Sequence, residues 1–127
     1  MRTFIVAAAI AAATILGTVA GGASGATTCQ NLRAPASLKS VLEQTHGTAA
    51  HDGPIRKGSI YYGRCGSTRY AIATFSKALA DQPEKFRKLA GRRWVDKGDG
   101  FENGCDASAR RPIPKALVKL WHVCQSF

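Results

Sequence analysis

A chain of 127 residues with 18 Lys and Arg against 8 Asp and Glu, a formal charge of +10, has room for one modest hydrophobic core, and one domain is the natural count. So small a core leaves little surplus stability. Four cysteines in such a chain point to an oxidising compartment, where covalent cross-links make up the shortfall.

Met1-Arg2 supplies one positive charge, and Phe4 to Ala20 follows without a charged residue. Gly21-Gly22-Ala23-Ser24-Gly25-Ala26 then offers the small residues that a signal peptidase accepts, with Ser24-x-Ala26 as the cleavage motif. No basic stop-transfer flank follows the apolar run, and Thr28 stands before Cys29 where a lipobox needs Gly or Ala, so neither a retained membrane helix nor a lipid anchor is expected. Residues 1–26 are therefore read as a cleaved signal peptide and 27–127 as a single small secreted domain. Without Arg2 the domain keeps 17 Lys and Arg against all 8 acidic residues, a formal charge of +9.

Cys29, Cys65, Cys105 and Cys124 allow three pairings. Cys29 with Cys65 and Cys105 with Cys124 is the preferred one, because the second bond ties the end of the last helix to the loop leading into it. Intervals of 36, 40 and 19 residues, with no Cys-x-x-Cys, argue against a zinc site built from the thiols.

In chain order, a polar lead-in precedes Ser37, which caps a short helix carrying Leu38, Val41, Leu42 and Thr45 on one face and ending at Gly47. Gly47 to Gly58, with Gly53-Pro54 at its middle, reads as an exposed loop. Ser59 to Arg64 and Thr68 to Phe75 read as a hairpin around Cys65-Gly66-Ser67. In it Ala71, Ala73 and Phe75 share the face that a helix can approach closely. Local rules after Pro83 allow either a helix to Gly91 or a second hairpin through Phe86 and Arg93-Trp94-Val95, and the hairpin is preferred. Asp96-Lys97-Gly98-Asp99-Gly100 is a turn cluster. Pro112 and Pro114 open a final helix with Ile113, Leu117, Leu120, Trp121 and Cys124 on one side and Lys115, Lys119 and His122 on the other. The resulting class is α+β, a small antiparallel sheet of about four strands in two hairpins, with N-terminal and C-terminal helices on one face and disulfide staples.

The run Tyr61-Tyr62-Gly63-Arg64-Cys65-Gly66-Ser67-Thr68-Arg69-Tyr70-Ala71-Ile72-Ala73-Thr74-Phe75, then Asp81-Gln82-Pro83-Glu84-Lys85-Phe86 and Gly91-Arg92-Arg93-Trp94, resembles a family of small secreted actinobacterial proteins of unknown function. The resemblance covers about residues 59–96, with a weaker echo in Ile113-Pro114 and Leu120-Trp121. It implies a sheet built of hairpins, which is what favours a strand after Pro83, and it implies export. It transfers no catalytic residue.

No reaction is specified by the residues. His46 and His51 fit no helical zinc pair, His122 sits on a charged helix face, and none has a visible acid–base partner. Asp96, Asp99 and Glu102 place glycines where a calcium loop needs oxygens and read as turn formers. No catalytic residue, metal or cofactor is assigned. The basic surplus is the functional signal. Arg56, Lys57, Arg64, Arg69, Arg87, Lys88, Arg92 and Arg93 recur through the sheet region, with Arg87 and Arg93 expected side by side, and such a surface attracts an acidic extracellular partner, whether a protein, a cell-wall polymer or nucleic acid. A secreted binding module is the leading reading. A small secreted hydrolase such as a nuclease, using a histidine with an acidic partner, and an inhibitor of a secreted enzyme are the alternatives.

Overall fold

A computed structural model of the chain describes residues 27–47, 52–78, 83–99 and 106–124. The expected signal peptide, His51, Glu102 and Cys105 lie outside the described residues.

The protein is α+β, built on an open five-stranded antiparallel sheet in the order β1-β2-β3-β4-β5: β1 (Cys29–Leu32), β2 (Tyr61–Cys65), β3 (Thr68–Ala73), β4 (Glu84–Lys88) and β5 (Trp94–Asp96). Helix α1 (Leu38–His46) lies between β1 and β2 in sequence, and α2 (Ala107–Arg110) and α3 (Lys115–Trp121) follow β5. None of these helices is long and apolar enough to cross a membrane.

The β2–β3 hairpin closes as its sequence requires. Gly66 takes φ +60°, a value an L side chain resists, at the first central position of a two-residue turn, and Cys65 then faces Thr68. After Pro83 the strand alternative holds. Glu84–Lys88 is β4, with Phe86 fully buried among the core residues of α1 and β3.

β1 is the strand that the sequence did not announce. Gln30 and Asn31 have no strand preference, and what makes the segment a strand is its pairing with β2, locked by the Cys29–Cys65 disulfide in direct register. The preferred first pairing is thus present. Cys124 is also disulfide-bonded.

The helices divide between the two faces of the sheet, a correction to the expectation that both share one. On one face α1 sets Leu38 and Leu42 against Tyr62, Ala71, Ala73 and Phe86; the small alanines admit the helix, as their alternation implied. On the other face Ile113, Leu117, Val118 and Trp121 pack on Ile72 and the cystine. Gly63 permits this second approach, since a Cβ there would lie 2.6 Å from Leu117 Cδ2 and 2.8 Å from the Gln30 carbonyl oxygen. Leu120, expected on the buried side of α3, is exposed, and Val118 takes the interior position instead.

The segment 52–58 is only in part the exposed loop expected: Pro54, Arg56, Lys57 and Gly58 are exposed, but the segment is anchored through its middle. Ile55 is buried and bridges Phe75, its N–H donates to Glu43 Oε1 at 3.0 Å, and flanking bonds run from Arg56 N to the Thr74 carbonyl and from Lys77 N to the Asp52 carbonyl, both 2.8 Å. An apolar residue directly after Gly53-Pro54 turns the segment inward and fixes Asp52 beside the end of α1.

Candidate functional site

Strand register arranges the basic residues. Gln30 pairs with Arg64, Arg64 with Arg69, Arg69 with Lys88, and Lys88 with Trp94, so one rung crosses all five strands with three consecutive cations at its centre. Side chains of directly paired residues project to the same face, here the face that carries α1. The neighbouring rung, Leu32-Tyr62-Ala71-Phe86-Asp96, lies beneath the helix. The cation rung lies beyond it, with Arg64 and Arg69 exposed and Lys88 half-buried.

Two of the cations are held in place. Arg64 Nε donates to Gln30 Oε1 at 3.0 Å, and Arg69 Nη1 donates to the Tyr62 hydroxyl at 2.7 Å. Trp94 closes the rung against Tyr62, ring centroids 6.2 Å apart. Beside it a cleft of about 390 Å³ opens between α1 and β5, lined by Val41, Gln44, Thr45, Arg93 and Trp94.

The remaining basic candidates do not join the row. Arg87 pairs with Tyr70 and Val95 on the opposite face, so the expected alignment of Arg87 with Arg93 does not occur. Arg92 and Arg93 belong to the connection from β4 to β5, where Arg93 lines the cleft and Arg92 N bonds the Leu89 carbonyl. Arg56 and Lys57 are exposed beside the Ile55 bridge.

At the other end of the same face stands a second group, which sequence reasoning missed. His46 is the last residue of α1, where a cation suits the helix dipole and Gly47 ends the helix with φ +70°. Its Nδ1 lies 2.7 Å from Asp96 Oδ2 and its Nε2 2.6 Å from Asp52 Oδ2, with Glu84 Oε1 3.9 Å from Nδ1. The ring stacks on Phe75 with centroids 4.1 Å apart. Asp96 also forms the expected turn, its Oδ1 accepting Gly98 N–H at 2.8 Å. Donor atoms of His46, Glu84 and Asp96 all lie within 4.8 Å of one another, close enough for a single ion to reach all three.

Burial pulls the His46 imidazolium down, but hydrogen bonds to Asp96 and Asp52 and the nearby Glu84 and Asp96 charges outweigh it, leaving the pKa above its ordinary 6.5. Glu84 is pushed up to about 8, first by burial and then by Asp96, with His46 opposing. On the opposite face buried Lys85 donates to the Ala109 carbonyl at 2.7 Å, and burial lowers its pKa. His122, by contrast, is exposed in the left-handed cap of α3.

No family model, curated protein or solved structure matches this chain.

Proposed function

We propose that this protein is a secreted binding module that grips an acidic polymer along the Arg64-Arg69-Lys88 row. The observation that carries the reading is the rung itself. Like charges placed directly opposite across strands cost stability, so three in succession are better understood as a surface completed by an anionic partner than as a solvated face. The bonds that Arg64 and Arg69 donate to Gln30 and Tyr62 pre-orient the two guanidinium groups, which lowers the entropy lost on binding. The Cys29–Cys65 disulfide supports the secreted location, since such bonds persist in oxidising compartments.

The hydrolase alternative would rest on His46. Both of its ring nitrogens meet a neighbouring carboxylate, and its side chain is only 11% exposed, so the ring is engaged within the cluster rather than turned as a base toward a substrate. The binding reading is therefore preferred.

The test is retention on a sulfated polysaccharide and on single-stranded nucleic acid at low ionic strength, for the wild type and for a variant carrying Arg64→Ser, Arg69→Ser and Lys88→Ser. Loss of retention in a folded triple variant supports the reading. Equal retention by the two proteins, or none by either, overturns it.

A further inference from the structure

Going beyond that reading, we infer that His46, Glu84 and Asp96 bind a divalent transition-metal ion through one imidazole nitrogen and two carboxylate oxygens, with Zn²⁺ as the best-suited ion. The ligands converge from the end of α1, the start of β4 and the end of β5, and their donor atoms lie within 4.8 Å of one another. Zinc holds nitrogen and oxygen donors at about 2.0–2.2 Å, so tetrahedral neighbours stand roughly 3.4 Å apart. The separations of Nδ1 from Asp96 Oδ2, 2.7 Å, and from Glu84 Oε1, 3.9 Å, bracket that value.

The imidazole distinguishes this group from a cluster of carboxylates. Magnesium and calcium favour all-oxygen sets with more ligands, whereas a nitrogen donor selects zinc and its neighbours in the first transition row. The surroundings supply the outer hydrogen bonds that orient metal ligands. His46 Nε2 is bound to Asp52, which directs Nδ1 at the other two ligands, and Asp96 is steered by Gly98 N–H through Oδ1, leaving Oδ2 toward His46. Asp52 is itself anchored through its carbonyl to Lys77 N.

Charge points the same way. Asp52, Glu84 and Asp96 are three of only 8 acidic residues in a chain with 18 Lys and Arg, yet they gather around a single imidazole. A divalent ion supplies the positive charge that one histidine provides only in part, and three protein donors leave a further coordination position for water or an anion.

The experiment is calorimetric titration of the chelator-treated full chain with ZnCl₂, with MgCl₂ and CaCl₂ as controls, alongside thermal unfolding with and without zinc. One saturable zinc equivalent, a raised Tm, and an affinity reduced at least about tenfold by Glu84→Gln and by Asp96→Asn are expected, with His122→Ala without effect. In the unsubstituted protein the His46 ring ¹⁵N resonances must shift on zinc addition, a readout that needs no variant to fold. Absence of saturable zinc binding, equal binding of magnesium, an unmoved His46 signal, or affinity indifferent to both carboxamide variants overturns the site. Polyanion retention does not enter this readout, so the two proposals fail separately.

Discussion

Arg69 stands directly opposite Lys88 across β3 and β4, and opposite Arg64 on its other side, so it is flanked by positive charge within its own rung. Removing Lys88, whose place in the row is not fixed by the bonds that hold the two arginines, separates function from stability. Lys88→Thr is expected to stabilise the fold by about 0.2–1 kcal/mol at low salt, through lost repulsion and a better strand former, while weakening polyanion binding. Urea unfolding at low and high ionic strength checks it, and the gain must shrink as salt screens the row. A variant that is less stable at low salt contradicts the repulsion argument.

Gly63 is where α3 meets the sheet. A Cβ at this position meets Leu117 at 2.6 Å and backbone oxygen of Gln30 at 2.8 Å, and the second contact cannot be relieved by a rotamer change. Gly63→Ala is expected to lower stability by about 1–3 kcal/mol, the usual cost of overpacking. Leu117 is fully buried, so Leu117→Ala is costly by itself, but it should cost less in the Gly63→Ala background than in the wild type if the contact is the cause, and chemical denaturation of both single variants and the double variant decides it.

The His46 cluster makes stability fall as pH rises. His46 has a raised folded pKa, so its contribution is complete below 6.5 and disappears as pH climbs through the folded value. Glu84 acts in the same direction. The folded state holds its proton up to about 8 where the unfolded chain releases it near 4.5, so stability declines between those values, by at most about 1.4 kcal/mol per pH unit for one proton. In the presence of a chelator the protein should be more stable at pH 5.5 than at pH 8.5, and Glu84→Gln should flatten the decline. Stability that rises over this interval contradicts the cluster as described.

The Cys29–Cys65 bond closes a separation of 36 residues, and on the loop-entropy model its removal costs about 3–4 kcal/mol. Replacing both cysteines by serine, with Cys124 left oxidised, should produce a loss of that size in urea unfolding. β1 should show the largest gain in amide exchange, because its strand character depends on the pairing. A loss below about 1 kcal/mol would mean that β1 is held by other contacts.

Much of the fold was legible because local rules and the fold agree. Gly66-Ser67 forces Cys65 opposite Thr68 and therefore Arg64 opposite Arg69, Gly47 ends α1, and the alanines of β3 accept that helix. The rest depends on pairings that no local period encodes. Gln30 and Asn31 look like a polar lead-in until β2 is beside them, and Gly53-Pro54 conceals the turn that buries Ile55. The connection from Leu89 to Arg93 puts Lys88 opposite Trp94, which sends Arg87 to the other face and defeats its alignment with Arg93. His46 and Asp96 are 50 residues apart, and only the packing of α1 against β5 brings them together.

The salt dependence of binding tests the central claim most directly. If Arg64, Arg69 and Lys88 each neutralise one anionic group, log Kobs against log[salt] for single-stranded nucleic acid should have a slope of about −2 or steeper, reduced by about 0.7 for each cation removed from the row. A slope near zero, or one that Arg64→Ser and Lys88→Ser leave unchanged while Arg56→Ser or Arg87→Ser reduces it, would contradict the assignment of the row as the binding surface.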